Sequence, residues 1–334
     1  MTHVETTWDT LDWPALERLR DGFLSGAGAS GAYWRSRADL ANYDLTFAQR
    51  IAWKWDAVLA ELRLRGWTPP LGDVLDWGCG SGVAGRCVLR EFGVENVSSL
   101  RLFDRSALAV EFAAARAKAV FPQLTVDSGV PEAGRIGLLL LSHVLNELSE
   151  PERDALLQLA RRADAVLWVE PGTHADSRAL IAMRERLRED LDLVAPCTHH
   201  ESCGLLASGN ERHWCHNFAA PPPGIMADSN WVRFAQRMGI DLRSLPYSFL
   251  VLERRGLRAA EERFAGWSRV VGAPRVYKGF AKVFCCQASG VRDVTLQKRD
   301  APAVFRRLRH EEPVLLAKLC VAGERVGSVE GTLP

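Results

Sequence analysis

The sequence lacks long hydrophobic runs and has no basic residues at its start. Its longest apolar run, 136–141, has the length of one buried strand, whereas a membrane-spanning helix needs roughly 18 apolar residues. Residues 1–12 include acids but neither lysine nor arginine, so neither a secretory signal nor a basic mitochondrial presequence is indicated. These absences predict a cytoplasmic location without a membrane partner.

The sequence also lacks a strong overall charge and the high cysteine density of a disulfide framework. Its 42 basic and 41 acidic residues nearly cancel, and its eight cysteines are spread over 334 residues. Cysteines at this density, without signs of secretion, are typical of free thiols or metal ligands. The length predicts about two domains.

Strand-like and helix-like segments alternate after a helical start. Apolar residues follow helical spacing between residues 8 and 66. From residue 74 the pattern predicts a parallel, doubly wound α/β sheet of the Rossmann-like kind. Its first five strands end at or near Asp76, Phe103, Leu124, Ser142 and Glu170.

A glycine-rich turn follows the first predicted strand. The run 74–82, Val-Leu-Asp-Trp-Gly-Cys-Gly-Ser-Gly, joins that strand to the start of a helix. Gly78, Gly80 and Gly82 leave room for a ligand to approach the backbone, and the helix directs its N-terminal amides toward that ligand. This pattern predicts a nucleotide-cofactor site, but Gly80, Gly82 and Gly85 also fit the spacing of dinucleotide sites.

Acidic residues around the turn favour S-adenosylmethionine as the cofactor. Asp76 stands two residues before the first glycine, where S-adenosylmethionine methyltransferases keep an acid for the methionine ammonium. Asp104 follows the second strand, where an acid accepts hydrogen bonds from ribose hydroxyls. Asp127 follows the third strand and is predicted to approach the adenine amine. Each acid alone is also consistent with a helix cap or a turn.

Cysteines and histidines are concentrated between predicted strands five and six. Cys197, Cys203 and Cys215 lie within nineteen residues, and a fourth thiolate is available at Cys285 or Cys286. Neighbouring residues of a strand point to opposite faces, so only one of that pair is expected to reach the site. The spacings match neither zinc ribbons nor bacterial ferredoxins, which leaves the metal open. Buried cysteines acting as small hydrophobic residues are the alternative.

These features divide the chain into four parts. We predict an N-terminal helical region over 1–70 and an S-adenosylmethionine-binding Rossmann-like core over 71–170. A cysteine- and histidine-rich metal-binding insert follows over 171–246, between strands five and six. Segment 247–334 is predicted to return to the core sheet. It includes the antiparallel pair of strands that ends class I methyltransferases, predicted here as strands six and seven at 247–252 and 279–286.

Several segments carry a resemblance to a known family. They are 75–82 in the glycine turn, 142–148 after strand four, 169–173 after strand five, 194–197 and 214–216 in the insert, and 247–252 in strand six. The chain resembles the mitochondrial small-ribosomal-subunit assembly factor of the methyltransferase-like group and its bacterial homologues, over residues 40–300. The cysteine block and its flanks are far more specific to this family than the glycine turn.

The resemblance implies a class I methyltransferase fold that also carries a four-cysteine iron-sulfur cluster of the [4Fe-4S] type. It implies that the small ribosomal subunit, or its rRNA, is the partner. Cys197, Cys203 and Cys215 match the first three cluster ligands. The fourth falls in the pair Cys285 and Cys286, where Cys286 is favoured. Zinc is the alternative metal.

The segment after strand four lacks the sequence that marks methylation of a base amine. Such enzymes carry Asn-Pro-Pro-Tyr or Asp-Pro-Pro-Tyr there to hold a flipped base, whereas this chain has Ser-His-Val-Leu at 142–145. His143, Asn146 and Glu147 are predicted to line the pocket, with His143 as a general base, or else to cap the following helix. Two functions therefore stay open: an rRNA methyltransferase, and a non-catalytic assembly factor that uses the same fold.

The C-terminal third is more basic than the chain as a whole. Residues 254–309 hold fourteen lysines and arginines against four acids. This excess predicts a surface that contacts RNA, with no DNA partner, and argues against a small-molecule methyltransferase with structural zinc. The predicted RNA-facing surface comprises Arg254, Arg255, Arg269, Arg275, Lys278 and Lys282, with Trp267 and Tyr277 as stacking platforms.

Overall fold

The computed structural model describes residues 6–25, 33–258, 264–310 and 314–333. It divides into two compact units. The first unit comprises Met1–Glu170 and Ala219–Pro246, and the second comprises Pro171–Phe218 and Tyr247–Pro334. The segment 171–246, which we predicted as one insert, is thus shared between the two units.

Helices alternate with the strands, and local caps define several of their ends. They are α1 (Trp13–Ser25), α2 (Arg37–Leu45), α3 (Phe47–Leu64), α4 (Val83–Phe92), α5 (Ala107–Val120), α6 (Glu150–Arg161), α7 (His174–Leu187), α8 (Ser229–Met238) and α9 (Pro302–Arg309). The Asp228 side chain accepts hydrogen bonds from the first amides of α8, and Gly239 ends that helix in the left-handed conformation. Such residues satisfy main-chain groups that a helix leaves unpaired. None of the described helices combines the length and apolarity that crossing a membrane requires.

The first unit is built on a parallel sheet. Its strands are β1 (Gly72–Trp77), β2 (Val97–Phe103), β3 (Val126–Ser128), β4 (Ile136–Ser142) and β5 (Ala163–Pro171). They lie in the order β3-β2-β1-β4-β5, and each neighbouring pair is parallel. The order reverses between β1 and β4, which is where α/β sheets bind ligands at the carboxyl ends of their strands. The predicted Rossmann-like, doubly wound α/β class is confirmed.

The N-terminal helical region packs with α8, although α8 follows the cysteine-rich segment in the chain. Leu11 and Leu16 share one hydrophobic core with Trp231, Phe234 and Met238. Each large apolar side chain buried in this way stabilises the fold by roughly 1.5–3 kcal/mol. This core explains why 219–246 belongs to the first unit.

The second unit contains an antiparallel strand pair that differs from the predicted one. The pair consists of β6 (Leu191–Ala195) and β8 (Leu245–Arg254). A third, short strand, β7 (Asn217–Ala219), also pairs with β8. We predicted that 279–286 would be the partner of 247–252, and this was wrong. The observed partner, β6, has only five residues, Leu-Asp-Leu-Val-Ala, of which Asp192 alone is polar, so its sequence shows no clear alternation of apolar and polar residues.

The remaining strands form a separate sheet that closes into a barrel. They are β9 (Ser268–Val270), β10 (Arg275–Val276), β11 (Phe280–Gln287), β12 (Gly290–Gln297), β13 (Leu316–Ala322) and β14 (Arg325–Leu333). Their order is β10-β11-β12-β14-β13-β9, and β9 also pairs with β11, which closes the ring. Val283, Val294 and Val326 fill the interior together with Phe305 and Leu308 of α9.

Candidate functional site

The glycine turn after β1 adopts a conformation that only glycine tolerates well. Gly78, Gly80 and Gly82 have φ angles of 71°, 52° and 75°. A Cβ atom on Gly78 would lie 2.6 Å from Cγ1 of Val144, and one on Gly82 would lie 2.9 Å from Cβ of Ala113. The left-handed backbone therefore favours glycine at all three positions, and close neighbours exclude a Cβ atom at Gly78 and Gly82. The turn lies beside the residues that follow β4.

Asp104, which follows β2, is fixed against this turn. Its Oδ2 accepts a hydrogen bond from Gly80 N at 3.0 Å, and its Oδ1 accepts one from Ser106 N at 2.9 Å. Burial raises the Asp104 pKa, whereas these two hydrogen bonds oppose the rise. The side chain is half-buried and keeps part of its surface open. A carboxylate is thus held at the tip of β2, where we predicted one.

Asp76 and Asp127 differ from Asp104 in their surroundings. Asp76 is 1% exposed, and its Oδ2 accepts a hydrogen bond from Gly85 N at 3.0 Å. Its Oδ1 has no hydrogen-bond partner among the described residues, and burial raises its pKa to about 7. Asp127 lies in β3 opposite Arg101, with 3.9 Å between Oδ2 and Nη2. Asp76 therefore braces the start of α4, while Asp127 lies at the surface.

His143, at the end of β4, is enclosed by polar neighbours. It has a φ of 58°, which is rare for a residue with a side chain. Its Nδ1 lies 3.3 Å from Oγ of Ser142, and its Nε2 lies 3.3 Å from Nζ of Lys54. Burial and the Lys54 ammonium hold the His143 pKa well below its usual range. The imidazole is therefore neutral at physiological pH.

The other two predicted pocket residues after β4 have different environments. Asn146 is exposed, whereas Glu147 is half-buried and accepts a hydrogen bond at 3.4 Å from the Tyr33 hydroxyl. Burial and the nearby Asp104 raise the Glu147 pKa to about 7. Asp104 and Glu147 therefore repel each other electrostatically at the carboxyl edge of the sheet.

Glu170, near the end of β5, holds the segment that follows β4 by hydrogen bonds to its main chain. It is fully buried, and its Oε1 accepts hydrogen bonds from Val144 N at 3.1 Å and from Leu145 N at 3.2 Å. The indole of Trp168 also donates to this oxygen, at 2.7 Å. Glu170 therefore fixes the chain that leaves β4.

Comparison with known proteins places the chain in a family. The sequence profile described as "Mitochondrial small ribosomal subunit Rsm22" matches residues 67–312. The chain belongs to this family. Curated proteins give no match.

Solved structures resemble the chain at low identity. One is described as a putative RNA methyltransferase from Pyrococcus horikoshii, with 12% identity over 61% of this chain and 84% of that chain and a TM-score of 0.38. Another is the magnesium protoporphyrin IX methyltransferase from Synechocystis with bound SAH, with 12% identity over 71% of this chain and 97% of that chain and a TM-score of 0.40. Likeness at this level assigns no function to the chain.

In the second unit, four of the cysteines line one cavity. They are the residues that we predicted as metal ligands: Cys197, Cys203, Cys215 and Cys286. Cys285 instead points into the barrel core and is 0% exposed, as expected for the neighbouring position of a strand. Among the described residues, no group of three or more His, Cys, Asp or Glu side chains has the geometry of a site for one metal ion.

Burial and the neighbouring cysteines raise the pKa of two of the thiols that line this cavity. Burial raises the pKa of Cys286, and Cys197, Cys215 and Cys203 raise it further. Burial, then Cys197, raises the Cys203 pKa to about 11. The thiols of Cys203 and Cys286 are therefore protonated near neutral pH.

Arginines of α7, which the sequence analysis missed, hold the cysteine-rich segment by its main chain. Arg178 Nη1 donates to Leu205 O and to His213 O, both at 3.1 Å, and Arg184 Nη2 donates to Glu201 O at 2.8 Å. The available signal was the pair of arginines at 178 and 184 on α7 with a third at 188 directly after it, but their spacing alone did not identify their partners. The segment is thus ordered by hydrogen bonds as well as by apolar contacts.

The predicted RNA-facing surface is only partly exposed. Arg269 is 2% exposed, its Nη2 donates to Oδ1 of Asn217, and its guanidinium lies 5.7 Å from the Phe249 ring centroid. Arg269 therefore does not belong to a surface, because its side chain is committed to the interior. Tyr277 and Lys278 are exposed.

Proposed function

We propose that the first unit binds S-adenosylmethionine at the carboxyl ends of β1, β2 and β4. The observation that carries this proposal is the turn at 78–82, which holds three left-handed glycines, one of which, Gly80, donates its amide to the Asp104 carboxylate. This arrangement supports a cofactor whose ribose is hydrogen-bonded by Asp104 and whose polar groups approach the N-terminus of α4. Asp127 is proposed to contact the adenine amine.

The acids near the turn support a cationic cofactor over a dinucleotide. Glu147 has a pKa raised to about 7, in part by Asp104. Two acids that repel each other ionise more readily when a positive charge lies near them. The sulfonium and ammonium groups of S-adenosylmethionine supply positive charge, whereas a pyrophosphate adds negative charge.

Glu147 is a better candidate than His143 for accepting a proton from a methyl acceptor. When bound, S-adenosylmethionine supplies an electrophilic methyl group, and the protein must orient the acceptor atom and remove its proton. The Glu147 pKa of about 7 suits a general base near neutral pH. Protonation of His143 at Nε2 is opposed by the Lys54 ammonium 3.3 Å away. We therefore assign His143 to positioning the chain after β4.

We further propose that the second unit holds a [4Fe-4S] cluster through Cys197, Cys203, Cys215 and Cys286. Four thiols around one largely apolar cavity fit such a cluster. Zinc would need all four sulfurs about 2.3 Å from one point, whereas a cluster accepts thiolates spread around a larger cage. When bound, the cluster supplies cross-links among four thiolates and a one-electron redox centre.

Family membership supports the small ribosomal subunit as the partner of this chain, and the basic C-terminal third supports contact with its rRNA. Transfer of a labelled methyl group from S-adenosylmethionine to purified small subunits tests the enzymatic function. We expect label in the subunit RNA with the unaltered protein, and at least about tenfold less with Glu147→Gln, since general-base catalysis contributes about a hundredfold or more.

The second candidate function is a non-catalytic assembly factor. The observation that favours it is the enclosed His143 in place of the Pro-Pro-Tyr segment that would hold a flipped base. Subunit binding with S-adenosylmethionine bound but no methyl transfer would establish this function instead.

A further inference from the structure

The barrel of the second unit has the strand connections of a nucleic-acid-binding fold. In chain order, β9, β11 and β12 form an antiparallel meander, α9 follows, and β13 and β14 complete the ring. β9 also pairs with β13, and β12 runs parallel to β14. This is the topology of the OB-fold, whose second and third strands and whose loop between the first two strands bind oligonucleotides. The corresponding parts here are β11, β12 and the segment 271–279, which includes the short strand β10.

We infer that one end of this barrel face binds single-stranded RNA. We call this end the β11 face, and it consists of Tyr277, Lys278, Phe280, Lys282 and Lys298. The inference deepens the proposed RNA partnership, because it names the site and the form of RNA that the site takes.

Aromatic rings on the β11 face offer a stacking platform. Along β11, Phe280 and Lys282 alternate with the buried Ala281 and Val283, so the first two share the outward face. Tyr277 stacks on Phe280 with ring centroids 4.6 Å apart and an interplanar angle of 17°. Tyr277 is nevertheless 48% exposed, so a flat ring surface is available to a nucleobase. Unpaired bases stack on such rings, whereas bases in a duplex are already stacked on each other.

Three lysines near this platform carry positive charge that no acidic side chain in the described part of the chain pairs with. Among the described residues, the side chains of Lys278, Lys282 and Lys298 form no ion pair and no hydrogen bond with another residue. Lys298 N donates to Gly279 O at 3.0 Å, which brings the end of β12 beside the loop. The nearby acid Asp293 is already paired with Arg275. The face therefore combines stacking with charge that suits a phosphate backbone.

The opposite end of the same strand is closed to RNA. His213 stacks on Phe284 with 4.5 Å between ring centroids, and Cys286 faces the cysteine cavity. Only the first half of β11 is therefore available, which limits the site to a few nucleotides of an extended strand.

The test measures binding of a fluorescent uridine-rich RNA of about 12 nucleotides to the full chain, since OB-folds occupy about 4–16 nucleotides. We expect Tyr277→Ala to weaken binding about tenfold or more, because stacking on one ring is lost, and Tyr277→Phe to bind within about twofold of the unaltered protein. Lys282→Ala should reduce the slope of log affinity against log salt by about 0.7, whereas Tyr277→Ala should leave that slope unchanged.

Lys318→Ala is the control for loss of a lysine elsewhere on the barrel, because Lys318 is exposed on β13, two strands away from β11 around the ring, where it pairs with Glu330. It should bind the single strand as the unaltered protein does. Equal affinity of Tyr277→Ala and Tyr277→Phe, or tighter binding to a hairpin duplex of the same length, would overturn the inference. S-adenosylmethionine and small-subunit binding, measured on the same variants, separate failure of the proposed function from failure of this site.

Discussion

Arg184 donates a hydrogen bond from Nε to the Sγ of Cys197 over a distance of 3.3 Å. The arginine lies on α7 and is 3% exposed. A second contact of this kind lies in the same cavity, where His199 Nε2 is 3.3 Å from the Sγ of Cys286. Two of the four thiols proposed as cluster ligands thus each have a side-chain nitrogen 3.3 Å away.

We expect Arg184→Gln to make the cluster harder to reduce. Hydrogen bonds to ligand sulfurs stabilise the reduced, more negative cluster, so their loss moves the reduction potential to more negative values. Loss of such an outer contact also weakens metal binding by about 10-fold to 100-fold. Redox titration followed by electron paramagnetic resonance, with iron analysis, measures both effects. Arg186→Gln on the exposed side of α7 is the control, and an equal shift in both variants would contradict a role for the Arg184 contact.

The two neighbouring cysteines of β11 should behave differently when each is replaced. Cys286→Ala removes a proposed ligand, so anaerobically prepared protein should lose most of its iron and its brown colour. Cys285→Ala changes a small buried side chain of the barrel core and should keep the iron. Metal analysis and absorbance spectra distinguish them. Iron retained by Cys286→Ala and lost by Cys285→Ala would reverse the ligand assignment.

Replacing Asp104 should weaken cofactor binding more than replacing Asp127. Asp104→Ala removes a charge-assisted hydrogen bond to the ribose, worth roughly 1.5–3 kcal/mol, or about tenfold to a hundredfold in affinity. Asp127→Ala should cost less, because the Asp127 carboxylate is 43% exposed. Isothermal titration calorimetry with S-adenosylmethionine gives both values. Unchanged affinity in Asp104→Ala would rule out the proposed ribose contact.

The buried Asp76 should make stability depend on pH. Burial raises its pKa from 3.8 to about 7, so the folded state holds this proton more tightly than the unfolded state does. The stabilisation from this proton is fully present below the pKa that Asp76 has in the unfolded state, 3.8, and it is lost as the pH rises through the folded-state pKa of about 7. Relative to Asp76→Asn, the free energy of unfolding of the unaltered protein should therefore fall by about 3 kcal/mol between about pH 5 and pH 8.

Urea denaturation of both proteins at several pH values measures this difference. In Asp76→Asn the amide oxygen can still accept the hydrogen bond from Gly85 N, so the turn is preserved. Parallel pH profiles for the two proteins would show that Asp76 does not carry the effect.

Local patterns in the sequence were sufficient to predict the parallel sheet and the glycine turn. β4 is a continuous apolar strand, and Gly78, Gly80 and Gly82 form the predicted turn before α4, in which all three adopt the left-handed backbone. Alternation along a strand also predicted that only one of Cys285 and Cys286 would face the cavity, because it depends only on neighbouring positions, whereas the choice of Cys286 came from the family resemblance.

Features that depend on long-range packing could not be predicted in this way. The pairing of β8 with β6 rather than with 279–286 is decided by where the barrel closes, since β11 is already engaged by β9 and β12. The burial of Arg269 likewise depends on Asn217 and Phe249, which are distant in sequence. A count of basic residues contains no information about such partners.

The position of β14 in the barrel has a consequence for synthesis of the protein on the ribosome. β14 lies between β12 and β13, yet it is made after both of them. Until β14 emerges, each of these strands presents a row of unpaired main-chain amides and carbonyls, which other chains can join. A product that stops before Arg325 would keep both edges open permanently. Premature termination there therefore creates an aggregation hazard rather than a slightly shortened protein.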